Sequence, residues 1–385
     1  MRKLFLLFFV VFLSFSSKAT HIMGGEITWV CINDPASPNI GKYIFTMKVY
    51  RDCDGTTLST GTQTINVWNH PSVTSITLNW QATNDITPNG IGVNCLDCIT
   101  SPVGAVQEYV YVSQPITLPG VPPVNGWHFT WDSCCRNGAI VNIVLTGIPT
   151  SPNEGFTLRA SMFPYTDAGG NLVPADPCFD SSPIFKEQAK TILCTGYPFS
   201  YSNLGFDVEL DSLSYSWDAP MEDMAFGQTY NPPVNPVSIP FIAPYSVNNP
   251  LPGGVTLDPI SGQISYNSNI SGNFVSVIRA DAFKCGQKVA SVYREIQVVL
   301  INCPTLPNGT PNSPPIITAP LGSQNWLTTL NPSTGLPSYE TTIMAGELVT
   351  FSVAATDADV NITGNQQNLS LEVEGGQLDP LLALS

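Results

Sequence analysis

The chain has 385 residues, of which only 11 % are charged while 43 % are hydrophobic, and it contains 30 Gly and 34 Pro. Such a composition excludes long solvated helices, and an aromatic share of 10 % excludes a disordered chain. A formal net charge of −15 makes nucleic acid and anionic lipid poor partners.

In chain order, Met1-Arg2-Lys3, the apolar run Leu4 to Phe15 and Ser17-Lys18-Ala19 have the layout of a secretory signal peptide (1–19), with cleavage expected after Ala19. The apolar run is too short to span a bilayer, no later run reaches about 18 apolar residues, and the chain is expected to be exported without a transmembrane segment. Segments 43–50, 62–68, 73–80, 107–112, 140–145 and 156–162 are rich in β-formers, and several alternate apolar with polar residues. That period of two predicts strands with one buried and one wet face, in an N-terminal β-sandwich module over 20–182. A second β unit is expected over 183–303, from segments 213–217, 262–266, 274–278 and 291–301. Residues 304–315 read as a Pro/Asn linker, and 316–385 as the start of a further β repeat, truncated, with segments 348–354 and 369–373. The fold class expected is therefore all-β, as tandem antiparallel β-sandwiches.

Ten cysteines in an exported chain predict disulfides. Cys95-Leu-Asp-Cys98 has no second CxxC to complete a zinc site, and the chain holds only three histidines. Connectivity is not fixed by spacing. Cys194 with Cys303 is favoured because the two flank the second unit, and Cys31 with Cys53 because a short hairpin would bring them together. Adjacent Cys134 and Cys135 are expected to pair with distant partners, or one to stay free.

His21-Ile-Met-Gly-Gly-Glu-Ile-Thr-Trp29, Tyr50-Arg-Asp-Cys53, Cys134-Cys-Arg-Asn137 with Ile140 and Asn142, and Ser181-Ser-Pro-Ile-Phe185 follow one another along the chain. As an ordered set they resemble the N-terminal module of very large exported proteins of Bacteroidota, the gliding-motility-associated or type IX-sorted cell-surface proteins. Cys194-Thr-Gly-Tyr-Pro-Phe-Ser-Tyr201, Asp207-Val-Glu-Leu-Asp211, Leu257-Asp-Pro-Ile-Ser-Gly-Gln-Ile264 and Arg294-Glu-Ile-Gln-Val298 continue the likeness, which covers residues 20–303. Leu257 to Ile264 also resembles the hairpin of cadherin-like and immunoglobulin-like repeats, where Pro sets φ and Gly supplies positive φ. Ala345 to Asp359 looks like the opening of another such repeat. The resemblance implies part of a longer surface protein, its neighbouring repeats acting as spacers. The family commonly has Asp-Pro-Asp-Gly-Asp at 207–211, so the turn-making Pro and Gly are missing here, and Cys285 stands where the family often has Asn before Gly.

No nucleophile segment accompanies Ile22-Met-Gly-Gly25, which otherwise looks like the start of an activated trypsin-like protease. No phosphate loop, dinucleotide turn or His-Glu-x-x-His site occurs. His128 in Trp127-His-Phe-Thr-Trp131 reads as a strand residue, and the tryptophans mostly as core. The expectation is a non-enzymatic adhesin or surface filament, with unidentified surface glycans or proteins as partners. A carbohydrate-binding or polysaccharide-capture module is the alternative and a secreted hydrolase the third reading. Oxygen ligands at i, i+2 and i+4 of an extended segment project to one side, so Asp207, Glu209 and Asp211, and likewise Asp357 and Asp359 with Asn361, are candidate calcium ligands.

Overall fold

The computed structural model describes residues 22–87, 105–146, 153–189, 192–224, 237–302, 315–322, 324–330, 337–344 and 347–357. The described chain is all-β, and no helix among these residues is long and apolar enough to cross a membrane. Seven strands come from the first unit: β1 (Ile22–Cys31), β2 (Tyr43–Asp52), β3 (Thr62–Trp68), β4 (Ser75–Asp85), β5 (Val106–Ser113), β6 (Trp127–Cys134) and β7 (Gly155–Met162). Nine more follow. They are β8 (Ile184–Phe185), β9 (Ile192–Cys194), β10 (Pro198–Ser202), β11 (Gly205–Phe206), β12 (Ser212–Asp218), β13 (Thr256–Leu257), β14 (Gln263–Asn267), β15 (Gly272–Lys284) and β16 (Gln287–Ile301).

Period-two patterning forms the first sheet as expected. In β2, Tyr43, Phe45, Met47 and Val49 point inward, while Ile44, Thr46 and Lys48 remain half-buried. Together with Ile27, Trp29, Ile65, Leu78, Tyr111, Trp127, Phe129, Phe156 and Leu158 they form one aromatic-rich core. The strands run in the order β1-β2-β5-β4-β3-β6-β7.

That arc does not stop at the end of the first unit. β16 gives one edge to β15 over its length, from Gly272↔Leu300 to Lys284↔Gln287. Its other edge is shared in succession by β7 (Ala290–Val292), β1 (Glu295 and Ile296) and β9 (Val299–Ile301). Both ends of the first-unit arc therefore meet the same strand of the second unit, and the arc closes on it. A second core confirms the interpenetration, because Met23 and Tyr50 of the first unit pack with Phe185, Tyr201, Tyr215, Phe274, Ile278, Val292 and Ile296. The boundary expected at 182/183 is thus no break in the sheet. β16 is the closing strand its β-branched run suggests, but it closes both units.

One expected strand is not formed and another is cut to two residues. Segment 140–145 makes only isolated bridges, Ile140 with Asn273 and Ile143 with Phe241. Buried Asn142 there substitutes its amide for backbone pairing, accepting from Val275 N and donating to the carbonyls of Val275 and Pro250, at 2.8–2.9 Å. Segment 348–354 contributes only the pair Phe351–Ser352, bonded to Leu321–Gly322, and 369–373 lies outside the described residues. Strands Ile316–Ile317, Leu327–Leu330 and Pro337–Glu340 of the third unit are almost wholly exposed. Trp326 rests there edge-on against Phe351.

Candidate functional site

Gly24-Gly25-Glu26, Arg136, Ser181-Ser182 and Arg294-Glu295 converge on one buried joint. Gly24 and Gly25 let β1 lie close against β16 beside β7: a Cβ on Gly24 would collide with Glu295 O, and one on Gly25 would collide with Lys48 O and lie 2.8 Å from Leu158 Cδ1. The next residue, Glu26, is 2 % exposed and receives both the Nε and Nη2 of Arg294, itself 1 % exposed. The remaining guanidinium protons go to the carbonyls of Glu187 at 2.8 Å and Phe185 at 3.3 Å and to Asn203 Oδ1 at 3.4 Å. Burial alone would lower the Arg294 pKa, but Glu26, Tyr50 and Tyr201 carry it above its ordinary value, so the charge is retained.

Alternation along β16 turns the neighbouring Glu295 to the opposite face, where it pairs with Arg136 of the Cys134-Cys-Arg-Asn137 motif. Arg136 also donates Nε to Gly155 O at 2.8 Å and Nη2 to Met221 O at 3.0 Å. Below it, Glu222 accepts from the backbone amides of Asn153, Gly155 and Asp223. Ser181 and Ser182 seal the other edge of β1. Ser182 Oγ accepts from Trp29 N at 2.9 Å, Ser181 Oγ accepts from Cys31 N at 3.0 Å, and Trp29 Nε1 donates to Asp180 O. Four charged side chains are thus fully desolvated, each satisfied by an opposite charge and, for the arginines, by backbone carbonyls. Such geometry is needed for buried pairs to offset their desolvation.

The disulfides correct the pairing expected from spacing. Cys31 is bonded to Cys178, 147 residues away with Cα atoms 5.6 Å apart, and not to Cys53. A hairpin partner is ruled out because β1 and β2 are paired with Cys31 opposite Tyr43, leaving Cys53 at the far end of β2. Cys134 and Cys135 are bonded to each other rather than to distant partners. Cys53 and Cys194 each take part in a further disulfide, not with one another. Cys303, the partner expected for Cys194, lies outside the described residues, as do Cys95 and Cys98. Cys285 is free and exposed.

The acidic run at 207–211 forms a turn instead of an extended ligand set. Asp207 Oδ1 accepts the amides of Glu209 and Asp211, at 3.0 and 3.1 Å. Glu209 accepts from Ser181 N and Oγ and from Asn33, whereas Asp211 receives the Lys284 ammonium at 2.9 Å. The three carboxylates therefore face different donors. Burial pushes Asp207 up to about 6, with its Oδ2 buried and accepting no hydrogen bond. Among the described residues no group of three or more His, Cys, Asp or Glu is placed to share an ion. Of the second candidate set, Asp357 is described, while Asp359 and Asn361 lie outside the described residues.

His128 sits in β6 with Nε2 donating to Asn125 O and Nδ1 accepting from Ser161 Oγ, and burial holds it neutral, down to about 4. Trp29, Trp127 and Trp131 are core residues, whereas Trp80 on β4 is 37 % exposed, its indole donating to Thr83. The Asp258 carboxylate caps the turn before β14, accepting from Ile260 and Ser261, and Gly262 takes φ +68° to start that strand, as the 257–264 hairpin requires.

No protein-family model matches the chain, and neither a curated protein nor a solved structure matches it.

The buried joint had one signal in the sequence. In a chain with 11 % charged residues, Glu26 and the Arg294-Glu295 pair interrupt otherwise apolar β-prone runs, and charges placed there must be paired.

Proposed function

We propose that this chain is the N-terminal part of an exported, non-enzymatic cell-surface protein, an adhesin or surface filament of the gliding-motility-associated kind. In this reading residues 22–302 act as one rigid base from which further repeats project. The observation that supports it is the use made of the resemblance motifs: Gly24-Gly25-Glu26, Arg136 and Arg294-Glu295 lock two units into one sheet, while Ser181 and Ser182 seal the edge of β1. A joint closed by two desolvated ion pairs suits a segment that transmits force, because separating it would expose unpaired charge.

Surface proteolysis of intact cells of the source organism, with attachment assays on a strain deleted for the gene, tests this. Release of fragments of the chain from intact cells and loss of attachment are expected. Protection of the chain until lysis would overturn the reading. The exposed indole of Trp80 supports a second reading, carbohydrate capture by stacking. Binding on a glycan array that Trp80→Ala abolishes would favour it.

A further inference from the structure

Beside the joint, Lys284 at the end of β15 carries its ammonium between two carboxylates. Nζ lies 2.9 Å from Asp211 Oδ2, in hydrogen-bonding geometry, and 2.8 Å from Asp180 Oδ1. The second contact is the more deeply buried, since the Asp180 side chain is 4 % exposed.

Burial raises the Asp180 pKa, against the opposing pull of Lys284 and with Asp211 and Glu209 adding to the rise. The carboxyl is thereby biased toward its neutral form, in which Cγ is electrophilic. The ammonium in turn is lowered by burial but raised on balance by Asp180 and Asp211, so its proton leaves only to a carboxylate inside the cluster. In a desolvated site the ion pair and the neutral acid–amine pair approach each other in energy.

We propose that Lys284 and Asp180 condense into an intramolecular amide. Nζ passes one proton to the Asp180 carboxylate, leaving a neutral amine against a carboxylic acid. The amine lone pair then forms the Nζ–Cγ bond. Asp211 takes a second proton from the nitrogen and delivers it to the departing hydroxyl, the Cγ–O bond breaks, and one water leaves. Ammonium and carboxylate become amide and water, so atoms and charge balance without a co-reactant. The held contact replaces a bimolecular encounter, and well-oriented intramolecular reactions reach effective molarities of about 10⁵–10⁸ M.

The position gives the bond a purpose. Asp180 lies two residues beyond Cys178, which is bonded to Cys31 of β1, while Lys284 belongs to β15. Disulfide and amide together make a continuous covalent path from the first unit's edge strand to the second unit's hairpin. The inference stands on this geometry alone and is independent of the surface role proposed above.

The test is the intact mass of the full exported chain, denatured and reduced, followed by peptide mapping. A mass lower than the sequence by one water is expected, with a branched peptide containing both Asp180 and Lys284. Lys284→Arg and Asp180→Ala restore the full mass. Asp211→Asn, which keeps both reacting groups but removes the proton acceptor, slows linkage by about a hundredfold. Folded wild-type protein at its full mass, or a water loss mapped to any other pair, overturns the inference.

Discussion

Arg294 and Glu295 are consecutive on one strand yet serve opposite faces of the sheet, Arg294 closing on Glu26 of β1 and Glu295 on Arg136 of the segment that follows β6. One dipeptide thus fastens two ends of the first unit to the second. Removing one partner leaves the other charge buried and unpaired. Glu26→Gln or Arg136→Met should therefore cost about 3–5 kcal/mol in denaturant unfolding of the full chain. The double change Glu26→Leu with Arg294→Met should cost less than the sum of its parts, with a coupling of about 0.5–3 kcal/mol. Additive losses would show that the two residues do not act as a pair.

Backbone proximity at the joint gives a second expectation. Gly24 has φ +148° and lacks room for a Cβ beside Glu295 O, whereas a Cβ on Gly138 would meet nothing within 4 Å. Gly24→Ala should therefore cost more than about 4 kcal/mol or abolish folding, while Gly138→Ala should stay within about 0.5 kcal/mol. Melting temperature and secreted yield of the two variants measure this. Equal behaviour would mean that β1 does not wedge against β16.

Local pattern made most strands legible and long-range chemistry did not. The alternation in 43–50 and the β-branched run in 291–301 give β2 and β16, because each records which face is buried. The same rule misread 140–145, since Asn142 takes over the backbone's partners there and no periodicity reports that. Glu26 and Arg294 are separated by 268 residues, and Cys31 and Cys178 by 147. Spacing holds no information on such pairs, because their proximity is set by which strand edges meet. The joint that Glu26, Arg136, Arg294 and Glu295 share emerges only once β16 receives β7, β1 and β9 on one edge.

The cysteines separate cleanly in labelling. Alkylation of the native chain should modify Cys285, which is free and exposed, and leave Cys31, Cys178, Cys134 and Cys135 unmodified. Replacing Cys31 and Cys178 together by Ser opens a loop of 147 residues, for which chain entropy sets an upper value of about 5 kcal/mol of lost stability. A labelled Cys31 peptide from folded protein would contradict the pairing.

Asp207 makes stability depend on pH in a defined direction. Its pKa is raised by burial to about 6, with Asp211 and Glu209 adding to the rise, while its Oδ1 holds the turn amides. A carboxyl with a raised folded-state value binds its proton more tightly folded than unfolded. Its contribution is therefore fully present below about pH 4, the ordinary aspartate value, and is lost as pH climbs through about 6. Asp207→Asn keeps an oxygen for the two amides and removes the buried charge. The variant should match wild type near pH 4 and be the more stable above pH 6, by about 1–3 kcal/mol. Thermal unfolding across that range, in millimolar calcium and in chelator, also separates this from an ion site. If calcium were held at Asp207, Glu209 and Asp211, wild type would gain stability in calcium and Asp207→Asn would lose that gain. A variant more stable than wild type in both buffers at pH 8 identifies Asp207 as a buried acid that resists ionisation, and a less stable one assigns its charge to a cation.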